Sequence, residues 1–425
     1  MMGRLHFYQT AVRTTYNTRQ GQGHSKKQPP DIPGFHLSSQ HHILNSQSES
    51  TFHLDAFLHF SRIANLRSSN LGIVYLFNVT LIPFFGNGYP SIIKNTSRME
   101  QPSESSKEFA SSFIDYMNES CTSFHAIEAS AKILKSAGFL RIFENEEWLL
   151  ETSGKYFFTR NETSLIAFTV GGAYTPGGGF TILGAHSDSP CLKIKPVTCY
   201  KKSDALMLNT TPYGGGLWHT WFDRDLGLAG RIITEEDGIV RTKLVRIDRP
   251  VARIPNLAIH LTSGSERDSF APNLQEHAKA ILSMDSTFIE TATECTDTAK
   301  NARLHPGLLH LIASESKVPI ESIVDMELQL TDVQPSTLGG ASDELIFSGR
   351  LDNLCSSYQI IRALADGSSE SLDTQLNIRM AMMFDHEEVG SSSCSGAGSS
   401  MFMDTLRLIS DSLTDGSHGK DKLIY

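Results

Sequence analysis

The chain has 425 residues, of which 40% are hydrophobic and 20% charged, enough apolar content for one large or two medium buried cores, which excludes disorder of the whole chain. A formal net charge of −10 offers no basic stripe for a nucleic acid, so a peptide or small molecule is the expected partner. Six cysteines (Cys121, Cys191, Cys199, Cys295, Cys355, Cys394) lie far apart without a CxxC pair, which argues against zinc fingers and for reduced thiols in an intracellular compartment.

Residues 1–106 are rich in Ser, His, Asn and Gln, and Arg4, Arg13, Arg19, Lys26 and Lys27 precede the first acid, Asp31. Such a start resembles an organelle presequence, but the composition reads first as a disordered or mispredicted extension without chemistry, with Met99 as an alternative start. The longest apolar stretch, 71–85, is broken by Asn78, Thr80 and Pro83. It falls short of the roughly 20 residues a spanning helix needs, so no membrane segment is expected. No basic end with a continuous apolar core marks a signal peptide, and the sequons at 118–120 and 161–163 are read as chance.

From 107 the pattern becomes regular. Helices are expected over 109–117 and 124–137, the second closed by Gly138 where a left-handed cap is wanted. Strands at 156–159, 165–170 and 180–183 read as a meander, the last two joined by a Gly-rich hairpin loop over 171–179. That loop lacks the GxxxxGK pattern and leads into a strand, which argues against a phosphate loop. Residues 193–341 carry β-type runs at 239–247 and 257–261 and a helical stretch near 274–282, and read as an inserted unit. A strand at 344–347, a helix at 354–365, a strand at 376–384 and a helix at 399–412 follow. The expected fold class is α/β: a domain made of 107–192 and 342–425, interrupted by a β-rich insertion over 193–341.

Three segments carry chemistry. His186 closes the apolar run that starts at Phe180, at the carboxyl end of a strand, where open α/β sheets place their ligand sites. A lone His there is ordinarily a hydrogen-bonded core residue; Asp188, two residues on, supplies the carboxylate that a metal-bound imidazole needs on its other nitrogen. Asp352 sits where a strand gives way to a helix, and by itself reads as an N-cap. Glu387 and Glu388 follow a buried strand as adjacent carboxylates that repel unless a cation or a proton divides their tasks, the alternative being a solvated turn. Together these residues suit two zinc ions bridged by one Asp, with an adjacent Glu taking a proton from water, for hydrolysis of an amide or ester.

Five segments then resemble the aspartyl aminopeptidases, zinc exopeptidases that remove amino-terminal Asp or Glu: 184–195 (GAHSDSPCLKIK), 214–231 (GGGLWHTWFDRDLGLAGR), 253–261 (RIPNLAIHL), 348–353 (SGRLDN) and 385–391 (DHEEVGS). The resemblance covers 107–425 and implies a zinc-peptidase-like catalytic domain with an inserted dimerisation domain, assembled into a dodecamer. It implies that His186 and Glu388 each ligate one zinc, that Asp352 bridges both, that Glu387 is the general base, that Asp188 orients His186, and that His260 is lent to a neighbouring subunit's site. His386 stands where the family has Asn. The family continues past 425 with another ligand-bearing Asp segment, the contacts to the substrate side chain and a near-terminal His; Asp404, Asp411, Asp415 and His418 do not lie in matching motifs.

The C-terminal part is therefore expected to be missing, leaving each zinc with two protein ligands of the three a tight site needs. Three functions compete: an active aminopeptidase of acidic specificity, an inactive truncated homologue serving as an oligomer subunit or scaffold, and a dinuclear aminopeptidase of neutral specificity, against which the WFDRDL run argues. A cytoplasmic location is expected, with an organelle as the alternative if 1–106 is a presequence.

Overall fold

The structure is a computed structural model that describes residues 72–75 (backbone), 104–285, 288, 304–368 and 372–414. The rest of the leading extension, Cys295, Asp415 and His418 lie outside the described residues. In chain order the elements are β1 (Gly72–Tyr75), α1 (Glu104–Glu119), α2 (Ser123–Ser136), β2 (Leu140–Arg141), β3 (Lys155–Arg160), β4 (Ser164–Thr169), β5 (Phe180–His186), β6 (Cys191–Lys202), β7 (Ala205–Tyr213), β8 (Leu226–Glu236), β9 (Ile239–Ala252), β10 (Ala280–Ser283), α3 (Pro306–Ser316), β11 (Ile323–Asp332), β12 (Thr337–Gly339), β13 (Leu345–Phe347), α4 (Leu351–Gly367), β14 (Ile378–Phe384) and α5 (Met401–Thr414).

The first sheet has the order β1-β5-β14-β4-β3-β2. β14 runs parallel to β5 and antiparallel to β4, so it lies between two strands that the sequence pairs with each other. The expected hairpin over 171–179 is therefore corrected to a crossover. Every residue of β4 is buried, and a strand covered on both faces needs a neighbour on each edge; β14 supplies the second one. The period of two divides these strands between two cores. Leu165, Ala167, Ala381 and Met383 face α1, α2 and α4, packing with Phe113, Leu134 and Tyr358. Ile166, Phe168, Met380 and Met382 face the other way, against Trp148 and the Met401 and Ile409 side of α5. Mixed α/β architecture with helices on both faces matches the expected class.

The second sheet, β10-β7-β6-β11-β8-β9, is antiparallel and built from the middle of the chain. Leu208, Leu228, Ile232, Ile247 and Leu330 pack against Leu308, Leu309 and Ile312 of α3. Two expectations for this region fail. Residues 257–261 form no strand: Asp223 takes the Asn256 backbone N–H at 3.0 Å and its side-chain amide at 2.8 Å, and the chain curls into a 3-10 turn, Ile259–Leu261. The stretch 274–282 is helical only over Leu274–His277, because Ala280 and Ile281 are drawn into pairing with β7. Within the leading segment, expected to be structureless, Gly72–Tyr75 pairs parallel with β5.

Two helix ends follow their sequence signals. The Thr122 side chain caps α2 by accepting the His125 backbone N–H, and Gly138 beyond its end adopts φ +83°. Among the described residues, no helix is long and apolar enough to cross a membrane.

Candidate metal centre

β5 and β14 run side by side in register, with Phe384 opposite His186, so both chains leave the sheet at the same edge. Past β14, Asp385 is buried, its N–H donating to Ser164 Oγ at 3.0 Å. His386 turns the backbone into the left-handed region at φ +60°, and the 3-10 turn Glu387–Val389 follows, closed by Gly390 at φ +98°. Two adjacent glutamates thereby sit on a tight turn rather than on a strand, where they would face opposite sides.

Asp188 holds that turn. Its Oδ1 accepts the Glu387 N–H at 3.2 Å, and its Oδ2 accepts the Glu388 N–H at 3.1 Å and the Tyr213 hydroxyl at 2.7 Å. Burial alone would raise the Asp188 carboxyl, but hydrogen bonds from His186 and Tyr213 outweigh it and hold the group below the usual carboxylate range. The same burial and the Asp188 charge push the Tyr213 phenol well above its ordinary value, so it stays a donor.

His186 is buried, and its Nδ1 donates to the Asp188 carbonyl at 3.0 Å, with the Asp188 carboxylate 3.4 Å away. That bond turns Nε2 toward Asp352 Oδ1 at 3.3 Å and Glu387 Oε2 at 3.7 Å. Burial opposes a charge on the imidazole, but Asp188 and Asp352 prevail and push it up to about 10. Asp352 occupies the start of α4, where φ −84° and ψ 107° are not helical, and no side chain caps the helix there. The capping reading of Asp352 therefore fails.

His186, Asp352 and Glu388 each offer a ligand atom, and these atoms lie within 4.8 Å of one another. Two observations test whether they fit a metal. Asp352 Oδ1 is buried and makes no well-aligned hydrogen bond, His186 Nε2 lying 3.3 Å away. Glu388 is pushed up to about 7, by burial and then by the charge of Asp352, because carboxylates crowd here around a single imidazole. A cation relieves both, and the donor set of one imidazole and two carboxylates suits zinc.

A cavity of about 310 Å³ opens beside the cluster, lined among others by Asp188, Asp352, Lys193, Tyr213, Arg224 and Arg350. Lys193 is paired with Glu327 at 2.9 Å and Arg224 with Asp332. Arg350 donates to the Met117 carbonyl at 3.1 Å.

Of the six residues singled out in the sequence, five come together: His186, Asp188, Asp352, Glu387 and Glu388. His260 does not; it lies on the exposed turn Ile259–Leu261 and does not line the cavity. Asp404 and Asp411 lie on α5, outside the ligand group. Tyr213 was missed, since a lone Tyr at a strand end carries no motif; its only sequence signal is its place directly before the Gly214 turn.

The sequence pattern of the aminopeptidase I zinc metalloprotease (M18) family matches residues 116–424. The chain belongs to the M18 family. This M18 chain is 43% identical over 331 residues to a probable aspartyl aminopeptidase of Ricinus communis, covering 72% of the chain and 67% of that protein. Among solved structures it is similar to a chain in the cryo-EM structure of the Ape4 and Nbr1 complex, with 38% identity and a TM-score of 0.68 over 75% of the chain and 63% of that one. It is also similar to the S. cerevisiae mApe1 dodecamer, at 25% identity and a TM-score of 0.60 over 72% of the chain and 67% of that one. The M18 chain thus spans about two thirds of the length of the proteins it matches.

Proposed function

We propose that this chain carries the catalytic centre of a zinc aminopeptidase that releases amino-terminal Asp or Glu from peptides. The observation that carries the reading is the convergence of His186, Asp352 and Glu388 at the ends of β5, α4 and β14, in an M18 chain. In this reading His186, Asp352 and Glu388 would hold two zinc ions, Asp352 being shared between them. Zinc, when bound, would supply Lewis acidity that lowers the pKa of water toward neutrality and polarises a carbonyl.

The protein's own groups supply the rest. Glu387 Oε2 lies 3.7 Å from His186 Nε2 on a side chain that is about half exposed. It takes a proton from water as the oxygen adds to the scissile carbonyl carbon, then returns it to the leaving nitrogen as the C–N bond breaks. Asp188 fixes the imidazole through Nδ1 and the glutamates through their N–H groups, so both keep their aim while the proton moves. Preference for an acidic residue rests on the likeness to aspartyl aminopeptidases.

Assembly into a homo-oligomer, a dodecamer in mApe1, belongs to the same reading. Leu257, Ile259 and Leu261 expose more than half their surface around His260, which supports an interface through which that histidine reaches a neighbouring copy. The free thiols Cys121, Cys191, Cys355 and Cys394 support a reducing compartment, the cytoplasm.

The deciding experiment measures metal content per chain together with hydrolysis of amino-terminal Asp, Glu and Leu chromogenic substrates. Stoichiometric zinc with turnover of the acidic substrates supports the proposal, and preference for Leu moves it to a neutral aminopeptidase. Sub-stoichiometric zinc without turnover replaces it with a subunit that only assembles.

A further inference from the structure

The metal cluster stands on the first sheet, yet one of its supports comes from the second. Tyr213 is the last residue of β7, and its hydroxyl reaches Asp188 Oδ2 at 2.7 Å, the same oxygen that accepts the Glu388 N–H. The ring is held by two neighbours. Lys193 Nζ lies 4.6 Å from its centroid, anchored by its ion pair with Glu327 of β11, and the His386 ring meets it at 6.3 Å, 60° from coplanar. Gly214 follows at φ +76°, and a Cβ there would stand 2.9 Å from Glu388 Cβ and 3.2 Å from its Oε2. Only a glycine lets the backbone both turn and pass this close to the glutamate.

We propose that Tyr213 is a positioning residue through which the second sheet holds the Glu387–Glu388 turn, by way of Asp188, with Gly214 setting the clearance for Glu388. Without the hydroxyl, Asp188 keeps its two backbone donors but loses its hydrogen bond to β7, and the turn is held to the second sheet less directly. With the hydroxyl in place, a shift of either sheet relative to the other reaches the carboxylates through Asp188. The consequence for zinc rests on the functional reading above; the tether does not.

The test uses the full chain carrying Tyr213→Phe and, separately, Gly214→Ala. In chelator, hydrogen–deuterium exchange over 385–390 is expected to quicken in Tyr213→Phe, while the core of β8 and the thermal midpoint stay as in the unaltered chain. Zinc affinity, read by competition with a chromogenic chelator, is expected to fall about 10–100-fold, the usual cost of losing a group that orients a ligand. The visible spectrum of the cobalt-loaded variant is expected to shift, which a purely structural loss would not produce. Unchanged exchange over 385–390 overturns the proposal. If Tyr213→Phe does not fold, Gly214→Ala decides by the same exchange measurement, since an intruding Cβ must displace Glu388. Should the unaltered chain take up no zinc, the functional reading falls while the exchange result still decides the tether.

Discussion

Two half-buried glutamates, Glu327 on β11 and Glu388 on the turn that follows β14, show how differently the two sheets treat a charge. Burial alone would raise both. At Glu327, Lys193 at 2.9 Å and Arg231 at 3.3 Å more than offset burial, and the carboxyl is held below its ordinary range. At Glu388 the charge of His186 is outweighed; burial and the charge of Asp352 push it up to about 7. The second sheet closes its electrostatics from within, as an ion-paired scaffold does. The first leaves a local excess of carboxylate that a bound cation or a proton balances, which is the physical mark of a site rather than of a support.

The largest expected effect bears on whether that excess is functional. Glu387→Gln should lower turnover of an amino-terminal Asp substrate about 10²–10⁴-fold while zinc content stays unchanged, and loss of zinc instead would move Glu387 into the ligand set. Next, the second sheet should depend on apolar burial: Leu228→Ala, at a fully buried position facing α3, should cost about 2–5 kcal/mol in denaturant unfolding. A cost under about 1 kcal/mol would mean that this core collapses around the gap.

Neutralising these two glutamates should have opposite signs. In chelator at pH 8, Glu388→Gln removes one of the crowded charges and should raise the thermal midpoint, while Glu327→Gln breaks two ion pairs and should lower it. Each change is expected at about 1 kcal/mol or less, since both side chains keep contact with water. Two shifts of the same sign would erase the distinction. A pH-dependent effect is expected near β9 of the second sheet, at His125 on α2. Burial, then the nearby Arg246 guanidinium, pull His125 down to about 4. Between its ordinary value of 6.5 and about 4, the unfolded chain binds a proton that the folded one refuses, so stability falls as pH drops through that window. His125→Gln should flatten this part of a stability-against-pH curve measured by urea unfolding.

Much of the centre was legible because its residues lie next to strong local signals. His186 and Glu387–Glu388 each follow an apolar run long enough to mark a strand, and the carboxyl ends of parallel strands are where such sites form. The strand order was not legible: β14 enters between β4 and β5 from nearly 200 positions away, and nothing in the 171–179 loop announces it. The apolar alternation at 257–261 suggested a strand, but its fate was set by Asp223 taking the Asn256 N–H, a contact between segments that no window spans. Tyr213 escaped for the same reason, since its partner Asp188 is distant in the chain and its type is ordinary at a strand end.

The pairing of Phe384 with His186 also makes the sheet a ruler for the cluster. Each residue of slip along β14 would carry the glutamates about 3.3 Å along the strand axis and turn the strand's side chains to the opposite face. A single step is comparable to the spacing the ligand atoms need, so no partial misalignment could keep the group together. Ala381 and Met383 sit in one core and Met380 and Met382 in the other, and a slip would exchange the two sets. The packing that excludes water from the sheet thereby also measures out where the carboxylates emerge.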